Sequence, residues 1–243
     1  MRQPTVSIII PVRNAVDTLQ HCIDSVLMQS FPSWQILIID GGSTDSTLQV
    51  IEKNKMHLHH FSSEPDNGVY AAINKGIDRS SGEWIYILGA DDFLADANVL
   101  QNIFSHRQYA ERVIAGMVKN ENVNHPLVPD TQQNSFSKKL YWKNTMHQQG
   151  VFYHYSLFKS FRFREDLKVL ADYDFHLKLL YDGEHCFSIS VVVAHCGSAG
   201  LSKQFNRALY LEELKVKRTR LGPWLYMANI PWVWLKFLSK KIV

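Results

Sequence analysis

Two adjacent carboxylates, Asp91 and Asp92, directly follow a strand-like apolar run in the sequence. Carboxylate oxygens are the ligands that Mg²⁺ and Mn²⁺ favour, and these ions commonly bridge to substrate phosphates. An isolated pair of aspartates also serves as a helix cap, here for the segment from Phe93 to Phe104. The pair alone therefore leaves a metal site and a structural cap as alternatives.

Polar residues also follow two earlier apolar runs. Pro11, Arg13 and Asn14 come after the first run, and Asp40 ends the second and leads into a Gly-Gly-Ser turn. Strands that alternate with helices predict βαβ units with parallel pairing, and ligands bind beyond the carboxyl ends of such strands. We therefore expect these polar side chains to meet at one edge of a sheet.

The elements that must position these side chains are predicted from hydrophobic periodicity and turn residues. The predicted strands are Val6 to Pro11, Gln35 to Asp40, Leu58 to Phe61, Trp84 to Leu88 and the start of Gly150 to Phe158. The predicted helices are Ala15 to Gln29, a helix through Ile51 that is capped by Ser43, Thr44 and Asp45, Tyr70 to Ile77, and Asp172 to Tyr181. The stretch from Asn120 to Thr145 is polar and holds two prolines, which predicts a long connection.

Composition limits the class of protein. The chain has 243 residues, of which 46% are hydrophobic and 20% charged, with a formal net charge of +3, and these values exclude a disordered protein. Its three cysteines match no disulfide or metal spacing, and the N-terminus lacks the features of a secretory signal, so we expect a cytoplasmic protein. His57, His59 and His60 are close in sequence but form no complete ligand set, which favours structural roles.

The C-terminal segment differs in charge from the rest of the chain. From Lys203 to Val243 there are nine basic and two acidic residues, a net charge of +7, whereas the first 202 residues carry −4. Within it, Leu221 to Leu235 is uncharged, rich in tryptophan and flanked by basic residues, but it is too short to span a membrane. This pattern predicts attachment to an anionic membrane surface, and an aromatic helix packed on the catalytic domain or a partner subunit is the alternative.

Four blocks in order resemble family 2 glycosyltransferases of the GT-A fold. They are VSIIIPVRN from Val6, IIDGGSTDST from Ile38, EPDNGVYAAINKGI from Glu64 and GEWIYILGADDF from Gly82. The resemblance continues more weakly through HQQGVFY from His147 and LKVLADYDFHLKL from Leu167. It is greatest with the bacterial members that build surface polysaccharides.

The resemblance implies transfer of a sugar, with inversion, from a nucleotide-sugar, expected to be a UDP-sugar, to an acceptor hydroxyl. Asp91 falls at the family's metal-binding aspartate, with Asp92 beside it, and both are expected to hold Mn²⁺ or Mg²⁺. The family's Asp-X-Asp motif commonly begins with an acid, but this chain has Gly89 there. The metal is therefore expected to depend on Asp91, with Asp92 or water completing its ligands.

The resemblance also implies a nucleoside pocket and a diphosphate contact. The matching donor-site residues, besides Asp91, are Pro11, Arg13, Asn14, Asp40, Asp66 and Lys75. Many relatives carry a second aspartate where this chain has Gly41. The uracil base of the donor is therefore expected to contact Asp40 or the backbone. Turn chemistry is the alternative for Asp40, and a solvated helix face is the alternative for Lys75.

Inversion by direct displacement needs a general base, and Asp172 matches that position. Relatives often have Glu just before the base, where this chain has Ala171, and we expect Asp174 to make a structural contact. His147 and Gln148 are expected on the acceptor side. His195 and Ser198 resemble the start of a closing segment, completed by Gly200 and Ser202, that approaches the diphosphate.

The expected architecture is an α/β fold of the GT-A, Rossmann-like kind, with a mainly parallel sheet flanked by helices. Residues 1–202 form the glycosyltransferase domain, with a nucleotide-sugar-binding half over 1–100 and an acceptor-side half over 101–202. Residues 203–243 form a basic, amphipathic, helical extension.

The predicted activity is transfer to a glycan or lipid-linked saccharide at the inner face of the cytoplasmic membrane, with no nucleic-acid partner. One rival is a polyprenyl-phosphate sugar synthase, whose anionic acceptor needs no base. A second rival is a non-catalytic nucleotide-sugar-binding scaffold, against which the presence of both Asp91 and Asp172 argues. A nucleotidyltransferase is disfavoured because the sequence lacks the usual glycine-rich phosphate loop.

Overall fold

The computed structural model describes residues 4–105, 109–121, 129–197 and 206–242. Nine strands form one sheet: β1 (Val6–Val12), β2 (Trp34–Asp40), β3 (His60–Ser63), β4 (Trp84–Ile87), β5 (Phe93–Leu94), β6 (Val113–Asn120), β7 (Thr131–Gln133), β8 (Val151–His154) and β9 (Cys186–Cys196). The α-helices in the described ranges are α1 (Leu19–Leu27), α2 (Thr47–Asn54), α3 (Val69–Arg79), α4 (Val99–Phe104), α5 (Ala171–Tyr181), α6 (Arg207–Arg220) and α7 (Pro223–Ile242).

The strand order is β3-β2-β1-β4-β8-β6-β9-β5, with β7 paired to β6. The first four strands pair in parallel, as alternating strands and helices predict, and their carboxyl ends meet at one edge. Strand β8 runs antiparallel between β4 and β6, so one mixed sheet spans both halves of the chain. The predicted α/β fold with helices flanking the sheet is confirmed.

The core has two layers because the central strands are buried on both faces. One layer packs Ile9, Ile39 and Ile73 with the helix-borne Phe175. The other packs Ile8, Ile38 and residues of α1 and α4. This burial explains why β1 and β2 are nearly continuous apolar runs that the sequence identifies correctly.

Several predicted boundaries shift. The strand predicted at Leu58 to Phe61 begins two residues later, at His60. The segment after Asp92 first forms β5 and only then α4, so the pair does not cap a helix over Phe93 to Phe104. Helix α2 begins at Thr47, although the Asp45 carboxylate does accept the Thr47 N–H at 3.0 Å.

Two long strands, β6 and β9, are absent from the sequence-based prediction. They pair in parallel with register shifts between Ala115 and Val118, and Gly116 lies at this irregularity. A Cβ on Gly116 would lie 2.5 Å from the Val193 side chain and 2.7 Å from the Val191 carbonyl oxygen. Glycine disfavours strands in sequence-based prediction, but Gly116 allows β6 and β9 to approach closely because it has no side chain.

The C-terminal helices pack on the sheet domain. Helix α6 contacts α5, and α7 contacts α6. Val216 and Leu221 join the core, and Val233 is fully buried. The predicted domain boundary at residue 202 lies outside the described residues, as do Ser198, Gly200, Ser202 and Lys203.

Much of the basic charge of this segment is paired. Lys215 lies 2.8 Å from Asp166, Arg220 lies 2.6 Å from Asp174, and Lys217 and Lys236 both contact Glu213. One face of α7 nevertheless remains apolar and open, with Trp224 85% exposed. In the described part of the chain, no helix has the length and apolar character needed to cross a membrane.

Candidate active site

A cleft of about 1110 Å³ lies beyond the carboxyl ends of β1 and β4. Eight of the predicted site residues line it: Pro11, Arg13, Asn14, Asp91, Asp92, His147, Gln148 and Asp172. The C-terminal helices also contribute to its wall, through Leu209, Tyr210, Glu213, Lys236 and Ser239. The cleft therefore brings together residues from the whole length of the chain.

The loops after β1 and β2 are joined by side-chain hydrogen bonds. The Asn14 N–H donates to Ser43 Oγ at 2.8 Å, and Asn14 Oδ1 accepts the Thr44 N–H at 2.8 Å. Asn14 adopts a left-handed backbone with φ of 50°, which asparagine tolerates better than most residues. These bonds fix the backbone that leads Arg13 into the cleft.

Asp40 is only 1% exposed and organises the turn after β2. Its carboxylate accepts the N–H groups of Gly42 and Ser43 and the hydroxyls of Ser43 and Ser63. Asp40 does not line the cleft, and its contacts with Gly42 and Ser43 are those of the turn alternative, whereas Ser63 belongs to β3. A contact between Asp40 and the nucleotide base of the donor stays a prediction.

Asp66 and Gly41 share one space. Asp66 Oδ1 accepts the Gly68 N–H at 2.9 Å, and a Cβ on Gly41 would lie 2.6 Å from Asp66 Oδ2. The absence of a side chain at Gly41 therefore leaves room for the Asp66 carboxylate. Asp66 lies outside the cleft lining, and its role in donor binding also stays a prediction.

Lys75 lies on α3, where its ammonium contacts Glu64 Oε1 at 2.8 Å. The ion pair lowers the pKa of Glu64, chiefly through the hydrogen bond from Lys75. The Lys75 side chain is 36% exposed and does not line the cleft. These observations favour the alternative in which Lys75 lies on a solvated helix face, and a contact between Lys75 and the diphosphate stays a prediction.

Asp91 and Asp92 occupy the turn after β4 and differ in their environments. Asp92 is 4% exposed, and its Oδ1 accepts the Gly197 N–H at 2.9 Å. Asp91 is half-buried at the cleft wall, and its carboxylate makes no hydrogen bond within the described residues. A Cβ on Gly89 would collide with Asp92 Oδ2. The Asp92 carboxylate thus fills the space that a side chain at 89 would need.

The pair fits a divalent cation that shares its ligands with a substrate. Two carboxylates lie at the cleft wall, and one of them has no other partner in the described ranges. No cluster of three or more His, Cys, Asp or Glu residues able to hold a metal occurs in the part of the chain that the structure describes. Mg²⁺ is usually held by one or two carboxylates, with substrate phosphates and water as its other ligands. The donor set therefore suits an ion that binds together with a diphosphate.

Asp172 lies in the first turn of α5 and faces the same cleft. Loss of hydration raises its pKa from 3.8 to about 6, against the lowering effect of hydrogen bonds from Tyr173, Tyr70 and Asn144. The Tyr70 hydroxyl lies 2.6 Å from the Val169 carbonyl oxygen and 3.3 Å from Asp172 Oδ1. A carboxylate with a pKa near 6 is ionised at neutral pH and is a better proton acceptor than an ordinary aspartate.

Asp174, two residues further on, makes the structural contact expected of it. It is fully buried, and Arg220 donates to both of its oxygens, at 2.8 and 2.6 Å. Arg164 approaches at 3.4 Å. The two aspartates of α5 therefore have different environments, because Asp174 is neutralised by arginine whereas Asp172 faces the cleft.

His147 and Gln148 follow the predicted long connection in the sequence, and both line the cleft. Asn134 holds this segment, because its Oδ1 accepts the His147 N–H at 2.6 Å and its Nδ2 donates to the His147 carbonyl at 3.1 Å. The Gln148 Nε2 atom is buried and has no hydrogen-bond partner within the described residues. A buried unpaired donor beside a cleft is suited to bind a ligand oxygen.

Two of the other histidines make side-chain contacts outside the cleft. His59 Nδ1 accepts the Ile36 N–H at 3.2 Å, and burial lowers the pKa of His59. His195 lies on β9, where its Nδ1 is 2.6 Å from Glu121 Oε1, and it does not line the cleft. The remainder of the predicted closing segment lies outside the described residues.

Sequence reasoning missed Tyr70, Asn144 and the contribution of α6 and α7 to the cleft. Tyr70 was visible within the third sequence block, but nothing in the sequence places its hydroxyl against a residue 99 positions away. Tyr210 and Glu213 occur in a helix with mixed polarity, and only tertiary contacts bring them to the cleft.

Sequence comparison identifies relatives along the whole chain. The family described as Glycosyl transferase family 2 matches residues 7–179. A PGL/p-HBAD biosynthesis glycosyltransferase of Mycobacterium bovis (strain BCG / Pasteur 1173P2) is 30% identical, over 100% of this chain and 96% of the relative.

Structural comparison supports the fold. The S. aureus TarS 1-349 structure in complex with UDP-GlcNAc has a TM-score of 0.71 at 19% identity, over 87% of this chain and 65% of that one. The mannosyltransferase PcManGT from Pyrobaculum calidifontis, in complex with GDP-Man and Mn²⁺, has a TM-score of 0.67 at 16% identity, over 98% and 74%. At these identities the likeness concerns the fold alone. The family match over residues 7–179 shows that this chain belongs to glycosyl transferase family 2, as the sequence blocks predict.

Proposed function

We propose that the chain transfers a sugar from a UDP-sugar, with inversion, to a hydroxyl of a glycan or lipid-linked saccharide in the synthesis of a cell-surface glycan. The observation that carries the proposal is a single cleft lined by a carboxylate pair suited to a cation and by a carboxyl group with a raised pKa. Family membership and a relative named for glycolipid biosynthesis support the reaction class.

In the proposed reaction the acceptor oxygen attacks the anomeric carbon of the donor. The bond from that carbon to the phosphate oxygen breaks, UDP leaves with its electron pair, and the acceptor proton passes to Asp172. A cation held by Asp91 and Asp92 would neutralise the charge that develops on the leaving diphosphate. Asp172 suits the base role because its pKa of about 6 leaves it ionised at pH 7 but raises its basicity.

The donor is expected against the wall formed by Pro11, Arg13 and Asn14, with Arg13 as the cationic group there. On the acceptor side, the unpaired Gln148 Nε2 is the donor best placed to bind a sugar hydroxyl. The lining of the cleft and the resemblance in the sequence both support these roles.

Calorimetric titration of UDP with and without Mn²⁺, on the wild type and on Asp91→Asn and Asp172→Asn, tests the division of roles. We expect Mn²⁺-dependent binding in the wild type and in Asp172→Asn, and a large loss in Asp91→Asn. Failure of every nucleoside diphosphate to bind would contradict the donor site and favour a non-catalytic scaffold. A positive result is followed by a screen of UDP-sugars for turnover.

A phosphate acceptor is a second candidate, because Lys139, Lys143 and Lys168 also line the cleft. Lys139 and Lys143 are exposed and form no ion pair within the described residues. Such lysines favour an anionic acceptor, as in a polyprenyl-phosphate sugar synthase. A phosphate acceptor is already ionised, so Asp172→Asn would then retain most of its activity, whereas a hydroxyl acceptor requires the base.

We place the proposed reaction at a membrane surface because α7 presents an open apolar face. Its exposed side chains are Trp224, Met227, Trp232, Leu235 and Leu238. Arg218 is exposed in the last turn of the preceding helix α6, and tryptophan and basic side chains favour the membrane interface. Cosedimentation with anionic vesicles tests this: Trp224→Ser should weaken binding several-fold, and Met56→Ser, which removes an exposed apolar side chain elsewhere, is the matched control.

A further inference from the structure

A carboxylate of the C-terminal segment binds the backbone that leads into α5. Glu212 lies on α6, and its Oε2 accepts the Lys168 N–H at 2.8 Å. Its Oε1 accepts the N–H groups of Val169 and Leu170, both at 2.7 Å. Three consecutive amides therefore bind one side chain that is more than 40 residues away in sequence.

These amides precede the helix that carries Asp172. Helix α5 begins at Ala171, and the residue before it, Leu170, has no polar side chain with which to cap it. The N–H groups at a helix start need acceptors, and a negative charge there is favourable. Glu212 binds the amide of Leu170 and the two amides before it rather than those of the first helical turn, and its carboxylate places a negative charge close to the start of α5.

Val169 is held on both sides of its backbone. Its N–H donates to Glu212 at 2.7 Å, and its carbonyl accepts the Tyr70 hydroxyl at 2.6 Å. Because Val169 lies only three residues before Asp172, these contacts limit both the start of α5 and the direction of the Asp172 carboxyl group. Glu212 itself does not line the cleft, so any effect it has on chemistry passes through the backbone.

We propose that Glu212 is a positioning residue, which holds residues 168–170 so that Asp172 is presented correctly to the acceptor. This inference rests on the proposed function, in which Asp172 is the general base. It makes α6 a part of the catalytic apparatus rather than an appendage. Displacement of a reacting group by about 1 Å can cost on the order of 100-fold in rate, so loss of this contact should affect kcat strongly.

The test compares Glu212→Ala, Glu212→Gln and the control Lys215→Ala. Lys215 is on the same helix and pairs with Asp166 at 2.8 Å, but it does not bind the 168–170 amides through its side chain. We expect Glu212→Ala to lower kcat by about 10- to 100-fold with an unchanged UDP affinity, because the donor loops are not touched. Glu212→Gln keeps one carbonyl acceptor and should fall between Ala and wild type, whereas Lys215→Ala should match wild type.

Amide hydrogen exchange gives a readout that does not depend on activity. The peptide that covers residues 168–172 should exchange faster in Glu212→Ala than in wild type and in Lys215→Ala, while the peptide over the 40–47 loop should not change. The acid limb of the kcat profile should also shift, because Asp172 would be hydrated differently. A general loss of stability would instead accelerate exchange in both peptides.

Wild-type kcat and wild-type exchange in Glu212→Ala would overturn the positioning role, as would an equal loss of kcat in Lys215→Ala. If Glu212→Ala does not fold, Glu212→Gln decides, since full activity with unchanged exchange in that variant would overturn the role as well. Absence of sugar transfer by the wild-type protein would overturn the proposed function and this inference together. Transfer that is insensitive to Glu212 but abolished in Asp172→Asn would overturn this inference alone.

Discussion

The two sides of the cleft are built in different ways. On the donor side, loops from neighbouring parallel strands bind one another through short polar contacts, as between Asn14 and Ser43. On the base side, Asp172 is held by Tyr70 and by the 168–170 backbone, which Glu212 binds from a third region of the chain. The donor side therefore depends on loop chemistry, and the base side depends on how distant helices pack.

This difference predicts that the two sides can be damaged separately. A substitution in the helical packing should lower turnover without changing nucleotide affinity, whereas a substitution in the turn after β4 should weaken nucleotide binding. The four predictions below test this separation.

Removal of the base should have the largest effect. Asp172→Asn should lower kcat about 1000-fold, since a general base contributes on the order of 100- to 10,000-fold, and should leave the UDP dissociation constant unchanged. Steady-state kinetics and calorimetry on the same preparation check both parts. Near-normal turnover would show that the acceptor is a phosphate rather than a hydroxyl.

Loss of the Arg220 pair should damage the packing of the base side. Arg220→Ala leaves the fully buried Asp174 with only the 3.4 Å contact to Arg164, and an unpaired buried charge costs about 3 kcal/mol. Urea denaturation should show this loss of unfolding free energy, whereas Arg218→Ala, at an exposed position on the same helix, should change it by less than about 0.5 kcal/mol. Equal stabilities would contradict the structural role of the pair.

Asp91→Asn should act on the donor side. It removes the charge of a carboxylate suited to a cation, so Mn²⁺-dependent UDP binding should weaken by about 10- to 100-fold. Binding measured without metal should change little, and the exchange of residues 168–172 should remain that of the wild type. A variant that binds UDP normally in Mn²⁺ would place the cation elsewhere.

A change of pH should have the smallest of the four effects, and it should act on turnover more than on nucleotide affinity. The pKa of Asp172 is raised to about 6 by loss of hydration, so the base form is present above pH 6 and is lost as the pH falls through this value. Turnover should therefore fall about tenfold between pH 7 and pH 5, while nucleotide affinity changes less. A flat kcat profile down to pH 5 would argue that proton removal by Asp172 does not limit turnover.

The same contrast explains which features could be predicted from the sequence. Strands β1, β2 and β4 were predicted because burial on both faces leaves a continuous apolar run, and their polar ends marked the cleft. The sequence-based prediction missed β6, whose apolar pattern Gly116 interrupts, and β9, which pairs with it. Asp172 was identified only through the family resemblance. Glu212 was not identified, because it binds backbone amides, and the sequence does not show which amides a distant side chain will contact.

The charge of the C-terminal segment shows a second limit. Counting residues predicted a basic surface for an anionic partner, yet Lys215, Lys217, Arg220 and Lys236 are paired within the protein. Lys217 is fully buried, and its desolvation lowers its pKa to about 8 against the raising effect of Glu213. Net charge describes composition, whereas the charge available to a partner depends on which side chains are already neutralised.

The collision between Gly89 and Asp92 has a consequence for the evolution of such sites. A side chain at 89 would require the Asp92 carboxylate to move, so a change at 89 is expected to alter the placement of the carboxylate pair. An acid introduced at 89 would add a carboxylate to this turn and would displace that of Asp92. The residues at 89 and 92 are therefore expected to change together in related sequences.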